Sequence, residues 1–346
     1  MTAAAVRICD AKDSDRPRWD EFVEQHSEST FFHRYGWAPV LREAFGHRTH
    51  YLLAERDGQV VGVLPLGEIR SLLFGHSLIS SPFCVYGGPL VAEEGARDAL
   101  LAAASARARD LNVDYLELRG TRRSRPSWPC KDDLYVTFRK PIAANDEDNL
   151  KAIPRKQRAM VRAGIDAKLE VAIDQGADQL WPLYAESVRN LGTPVFPRRY
   201  FSILQQQFAG DCEIMTVAHG GQPLASVLSF YFRDTVLPYY GGGSNLARQY
   251  KANDFMYWSV MCRAAERGVK VFDYGRSKIG TGSFSFKKHW GFEPEPLYHE
   301  YDLVTAREVP NVSPTNPKYQ MFIAGWRKLP LAVSNVVGPW LARSLG

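Results

Sequence analysis

A chain of 346 residues with a formal charge of +5 and 45% hydrophobic content has room for about two domains of ordinary size, each with its own core. The composition excludes wholesale disorder, and the mild positive balance permits an anionic substrate or surface without calling for DNA. Five scattered cysteines with no CxxC pair argue against a disulfide frame or a zinc site and point to reduced thiols in the cytoplasm.

Taken from the N-terminus, MTAAAVRICDAKDSDRPRWDEF lacks the apolar core of a signal peptide, and no run approaches the ~18–20 apolar residues of a membrane span. His47 and His50, in HRTH, share only helical spacing with no carboxylate beside them, so no metal site is expected. From Tyr51, YLLAERDGQVVGVLPLGEI reads as strand, turn and strand, because Asp57-Gly58 tolerates positive φ in a tight hairpin. Cys84, in SSPFCVYGG, has no identifiable base and reads as a small buried thiol. Tyr86-Gly87-Gly88 comes next, then the helix-period segment DALLAAASARARDLN and the short apolar strand VDYLELRG. Residues 120–150, with TRRSRPSWP and the acidic run NDEDN, read as a connection. KAIPRKQRAMVRAG follows as a basic helix with Arg155, Arg158 and Arg162 on one face.

The order of features then repeats at an offset of roughly 160 residues. EIMTVAHGGQPLASVLSFYF, from Glu213, is a second strand–turn–strand with Gly220-Gly221 at its turn. Tyr240-Gly241-Gly242, the helix-period DFMYWSVMCRAAERG and the strand VKVFDYGR complete the parallel. Such a duplication makes each half an α/β unit, with antiparallel hairpins beside a strand–helix–strand crossover.

PYYGGGSNLARQYKANDFMYWSVMCRAAERGVKVFDYGRS, followed by SFSFKKHWGF, resembles the Fem family of peptidoglycan aminoacyltransferases, and IPRKQRAMVRAGIDAKLEV resembles the arginine-bearing helix that opens the second domain of those proteins. The YGGPL element and the C-terminal NPKY…W.KLP segment look like the FemAB-related proteins of the PEP-CTERM/exosortase system. The resemblance implies an α/β (α+β) fold of two tandem GNAT-like domains, each a mixed, mostly antiparallel sheet flanked by helices. On that reading residues 1–140 form the first domain, 141–308 the second, which carries the active site, and 309–346 a separate tail. It also implies an N-acyl or aminoacyl transfer to an amino sugar or glycan precursor, alongside polysaccharide machinery. Two other readings stay open: an aminoacyl-tRNA-dependent enzyme of the peptidoglycan type, and a non-catalytic member that binds a glycan or nucleotide.

Acyl transfer to nitrogen needs a neutral amine, an activated carbonyl beside it and support for the developing oxyanion. A GNAT-type sheet meets this need by parting two central strands, and FDYGRS would end at the split. Alternation along that strand would turn Tyr274 and Arg276 toward the cleft, with Asp273 on the other side as a general base if burial raised its pKa. Lys287, flanked by Phe286 and Trp290, takes the place of the lysine in the Fem pattern and is expected at the oxyanion. Lys288 would meet substrate phosphate, and Tyr239 and Tyr240 would stack on substrate or relay protons. Either tyrosine could equally serve packing.

In the frame Arg248-Gln249-Tyr250-Lys251-Ala252-Asn253, lysine and asparagine stand where a coenzyme A loop wants glycine. Gly241, Gly242 and Gly243 offer another anion nest, and Asn253 or Asp254 reads as the N-cap of the next helix. No long heptad-patterned helix pair matches the tRNA-binding arm of Fem proteins. Acyl-CoA and aminoacyl-tRNA are the donor classes, neither a tightly bound cofactor. Arg155, Arg158 and Arg162 suit the anionic part of a nucleotide- or lipid-linked sugar.

After Glu308 there is no acidic residue, whereas Lys318, Arg327, Lys328 and Arg343 remain. Tyr319, Phe322, Ile323 and Trp326 lie at helical spacing, as do Val333, Val336, Val337, Trp340 and Leu341. Two outcomes suit this pattern: peripheral contact with the inner membrane through residues 318–345, or docking onto the protein's own domain or a partner.

Overall fold

A computed structural model describes residues 5–71, 74–310 and 317–346, and the side chains of Pro317, Lys318 and Tyr319 lie outside the description, as do residues 311–316. The chain forms two compact units. The first takes the residues up to Tyr135, the segment from Pro296 and Arg343–Gly346; the second takes Val136–Glu295 and the C-terminal helices through Ala342.

Two sheets build the first unit. One joins Arg7–Asp10, Leu52–Arg56, Gln59–Leu64 and Leu90–Val91 in that order. Asp57 and Gly58 turn its hairpin with φ of 50° and 77°, the left-handed pair that a two-residue turn demands. The other runs Arg48–Thr49, Leu66–Ser71, Gly75–Ser80, Tyr115–Gly120, Tyr298–Leu303, Cys130–Lys131. Within it Gly75–Ser80 lies parallel to Tyr115–Gly120, and the intervening helix Glu94–Asp110 buries Leu100, Leu101 and Ala104. Tyr298–Leu303 was assigned from sequence to the second domain. It instead pairs along its whole length with Tyr115–Gly120, because its buried carboxylate and imidazole have partners there. Glu300 accepts from the backbone N–H groups of Ser124 and Arg125, and Glu117 takes His299 Nδ1 and Arg119 Nε, both at 2.8 Å. His50, read as lacking a carboxylate, finds Glu68 across the sheet at 3.0 Å.

The second unit is built on an eight-stranded sheet: Glu170–Asp174, Cys212–His219, Gln222–Phe232, Thr235–Gly243, Val271–Asp273, Tyr135–Pro141 and Ser277–Lys278 in order, with Pro294–Pro296 also on Tyr135–Pro141. From Glu170–Asp174 to Thr235–Gly243 neighbouring strands are antiparallel, Val271–Asp273 is parallel to Thr235–Gly243, and Tyr135–Pro141 is antiparallel to Val271–Asp273. The stretch read as a connection therefore supplies an inner strand, Tyr135–Pro141, whose Val136 and Phe138 enter the core. Helices cover the sheet: Ala252–Glu266 packs on Cys212–His219, Gln222–Phe232 and Thr235–Gly243, and Leu180–Leu191 on the latter two. The basic helix is broken where proline forbids α geometry to the residue before it. Ile153 is extended (ψ 131°), separating Asp146–Ala152 from Arg155–Asp166. Helices Pro317–Arg327 and Leu331–Ala342 pack against Leu180–Leu191, so the tail has one face on the protein's own surface. Among the described residues no helix is long and apolar enough to cross a membrane.

Candidate functional site

The central feature of the second unit is a place where its sheet parts. Thr235–Gly243 and Val271–Asp273 pair in parallel at two positions only, Thr235 with Val271 and Val236 with Phe272. Beyond them one strand continues to Gly243 while the other ends at Asp273. On its far side the continuing strand carries a bulge: Leu228 faces Tyr240 and Ser229 faces Pro238, leaving Tyr239 without an opposite residue. Beside the bulge the Ser229 hydroxyl is buried with no hydrogen-bond partner.

The segment leaving Asp273 is held from two directions. The Asp273 carboxylate accepts from Gly275 N–H (2.7 Å) and Thr137 Oγ1 (3.2 Å), with the Arg139 guanidinium 3.6 Å away. A short acid accepting the N–H two residues on closes a tight turn, here with Gly275 at φ 64°. Lys287, only 8% exposed, comes from helix Gly282–His289, which Thr281 caps. Its Nζ donates to the backbone oxygens of Tyr274 (2.7 Å), Gly275 (2.9 Å) and Arg276 (3.1 Å). Phe138 and Tyr274 lie 5.6 and 6.0 Å from the charge.

Burial pushes the Lys287 ammonium down to about 7, Asp273 opposing this and Arg276 adding to it. Only the protonated amine has three N–H donors for three carbonyls. Lys287 thus lies buried beside aromatic rings. Its donors, expected at an oxyanion, are taken here by the backbone carbonyls of the loop.

Tyr274 departs further from expectation. The strand ends one residue earlier, and the ring turns inward against Tyr257, Phe272, Phe286, Trp290 and Phe292. Its hydroxyl makes no hydrogen bond, and burial keeps it well above the usual phenol range, with Tyr257 and Asp254 adding to the effect. The Tyr274 ring therefore lies in the core and not in the cleft toward which alternation would turn it. Asp273, read as a general base, has its carboxylate engaged as a turn cap. Arg276 is half-buried with its carbonyl on Lys287, and Lys288 is exposed, near the Phe284 ring.

On the continuing strand, Tyr239 is half-buried against Phe230 and Tyr240. Tyr240 is buried, its hydroxyl 2.8 Å from that of Tyr200, inside a box of Tyr184, Phe196 and Phe201. Burial lifts its pKa well above the ordinary value. Gly241, Gly242 and Gly243 form no anion nest. They pair in the ladder with Val227, Ser226 and Ala225, and a Cβ on Gly242 would collide with the Leu183 backbone. Gly243 N–H bonds to Ser187 Oγ (2.9 Å). These glycines let helix Leu180–Leu191 lie close upon the strand.

The next helix starts at Ala252, and its cap is Lys251 rather than Asn253 or Asp254. Lys251 has φ 58°, so the loop keeps the left-handed turn of a glycine without the glycine. Asp254 instead accepts from Gln157 Nε2 (2.9 Å) and Trp290 Nε1 (3.1 Å), and burial raises its pKa. That pair of bonds ties helix Arg155–Asp166 to the segment following Lys287. The three arginines of that helix divide. Arg158 gives its guanidinium to the Lys151 and Ile153 carbonyls, closing the end of the preceding helix, while Arg155 and Arg162 are exposed. The sequence reading missed Thr137 and Arg139, which sit in a strand taken for a connection, and Ser229 and Tyr200. The alternation of Val136 and Phe138 was the available signal for that strand.

Residues 148–288 match the acetyltransferase (GNAT) domain family. No curated protein matches the chain. Among solved structures, a crystal structure of FemX is 16% identical with a TM-score of 0.68, covering 92% of this chain and 100% of that one. A tandem GNAT protein from the clavulanic acid biosynthesis pathway is 14% identical with a TM-score of 0.54, covering 86% of this chain and 98% of its own. The C-terminal domain of a putative lysylphosphatidylglycerol synthetase from Agrobacterium fabrum is 15% identical with a TM-score of 0.54, over 83% of this chain and 91% of that one. The chain therefore carries a GNAT-like acetyltransferase domain in a mixed α/β fold similar to that of FemX.

Proposed function

We propose that this protein is an N-acyltransferase that joins an acyl group to the amine of an amino sugar or glycan precursor where the sheet of the second unit parts. The carrying observation is the parallel pair that holds for two positions and then diverges beside a bulge. Divergence exposes main-chain groups that a paired sheet would consume, and gives two reactants opposite approaches to one point. The acceptor nitrogen attacks the acyl carbonyl, a C–N bond forms, the bond to the donor's leaving group breaks, and the amine proton departs with that group.

Acyl-CoA is the donor we favour over aminoacyl-tRNA. The left-handed Lys251 supports this, since it preserves the turn into the N-terminus of helix Ala252–Glu266, where a pyrophosphate is stabilised. Exposed Arg155 and Arg162 suit the anionic part of a nucleotide- or lipid-linked sugar. Tyr239, half-buried at the bulge, is the side chain we assign to substrate contact. An acceptor of this kind agrees with the resemblance to FemAB-related proteins and a place in extracellular-polysaccharide synthesis.

A thermal-shift panel with acetyl-CoA, long-chain acyl-CoA and UDP-amino sugars, followed by mass spectrometry of mixed donor and acceptor, tests the reading. Stabilisation by an acyl-CoA together with an amide product is the expected result. Sugar binding with no product under any acyl-CoA would identify a binding protein instead, and product from aminoacyl-tRNA alone would transfer the reading to that donor.

A further inference from the structure

Helix Leu331–Ala342 is docked with its polarity reversed. The residues it buries are Ser334, Gly338, Leu341 and Ala342, two of them the smallest side chains available and one polar. Val333, Val336, Val337 and Trp340, at i, i+3, i+4 and i+7, form one stripe and face outward. Val336 is 78% exposed and Trp340 57% exposed. An ordinary surface helix does the opposite, because apolar area left in water forfeits the main favourable term in folding.

The orientation is enforced. An added Cβ at Gly338 would lie 2.9 Å from Val195 Cγ1 and 3.0 Å from Val195 N, so that face alone lets the helix approach so closely. The preceding helix, Pro317–Arg327, adds Met321 at 75% exposure and half-exposed Phe322. It is anchored by buried Trp326, stacked on Phe322 at 5.5 Å, and by Ile323 against Gly192.

The charged side chains that follow Glu308 in the chain have one sign. No Asp or Glu follows Glu308, and Arg327, Lys328 and Arg343 are all exposed. A second copy of the chain would set this cationic surface against itself. Six apolar side chains, the stripe with Met321 and Phe322, also fall well short of the roughly 20–30 residues a side of a stable protein interface. Valines with a tryptophan on one stripe, bordered by arginine and lysine, are what an in-plane helix offers to the boundary between headgroups and acyl chains.

We propose that the outward stripe of Leu331–Ala342, with Met321 and Phe322, docks on the surface of an anionic phospholipid bilayer without spanning it. This does not depend on the acyl-transfer reading. It locates the protein at a surface, whatever reaction the protein performs.

The test uses the full chain and two vesicle preparations, phosphatidylcholine alone and equimolar phosphatidylcholine with phosphatidylglycerol, read by co-sedimentation. The native protein should sediment with the anionic vesicles and do so less at high salt. Val336→Glu with Trp340→Glu should weaken binding by about tenfold or more, as should Arg327→Glu with Lys328→Glu. Val336, Trp340 and Lys328 are exposed and Arg327 gives up one exposed bond to the Leu191 carbonyl (3.3 Å), so circular dichroism should not change and Tm should fall by no more than a few degrees. Absence of binding to anionic vesicles would overturn the proposal, as would equal binding by the folded Val336→Glu, Trp340→Glu variant. A dimer on size-exclusion chromatography that the same variant dissolves would assign the stripe to a second copy.

Discussion

At the scale of single residues, Lys287 concentrates the argument. A side chain taken out of water and spent on three carbonyls fixes the backbone of Tyr274, Gly275 and Arg276 beside the parting strands. Replacing it by Met should lower turnover by ~10²-fold while acceptor affinity changes little, as expected when positioning is lost. Lys287→Met turning over like the native protein would remove the residue from the mechanism. Because the native ammonium is held down to about 7 against an ordinary 10.5, the unfolded chain binds more protons between those values. This group therefore makes stability rise with pH across that window, and denaturant titrations of Lys287→Met should show a flatter slope there. Tyr274 offers the complementary experiment. Its hydroxyl is buried and unbonded, so Tyr274→Phe should leave stability equal or up to about 1 kcal/mol higher, with turnover unchanged. A large loss of rate would return Tyr274 to the chemistry. That Lys287 lies among aromatic side chains was legible in SFSFKKHWGF. Where the Lys287 ammonium points was not, since its acceptors are backbone atoms that any sequence would supply.

At the scale of elements, what could be read was whatever local chemistry decides. Asp57-Gly58 and Gly220-Gly221 fix two hairpins because each pair takes the left-handed conformation, and both central helices announce themselves by period. The misreadings arose where a distant partner decides. Tyr135–Pro141 looks like linker because its Pro- and Asp-rich flanks outweigh three buried residues, yet it pairs with Val271–Asp273. Pro154 divides a helix that its charge pattern alone would have continued. Gly241–Gly243 show the same limit: a glycine run suits an anion nest and a helix lying close to a strand equally well, and only the position of Leu183 decides. Gly242→Val should therefore destabilise the protein by about 1–3 kcal/mol through overpacking, measured by chemical denaturation. A neutral result would mean helix Leu180–Leu191 is free to withdraw.

At the scale of the whole molecule, the first unit is discontinuous. Tyr298–Leu303 lies between Tyr115–Gly120 and Cys130–Lys131, bringing His299 to buried Glu117 and Glu300 to the backbone N–H groups of Ser124 and Arg125. A chain ending at Pro141 lacks this strand and leaves Glu117 and Arg119 short of a partner in a low-dielectric interior. Such a truncation should give no cooperative melting transition, whereas co-expression with the remainder should restore one. Cooperative melting by the fragment alone would show that the strand only decorates its sheet.

The same late strand sets a schedule for biogenesis. While a ribosome is still reading codons for residues 136–295, the nascent N-terminal portion has an open seam along Tyr115–Gly120, which a chaperone or a stray strand could occupy. Completion must await the arrival of Tyr298, so slowing translation over that interval should lengthen the vulnerable phase instead of aiding it.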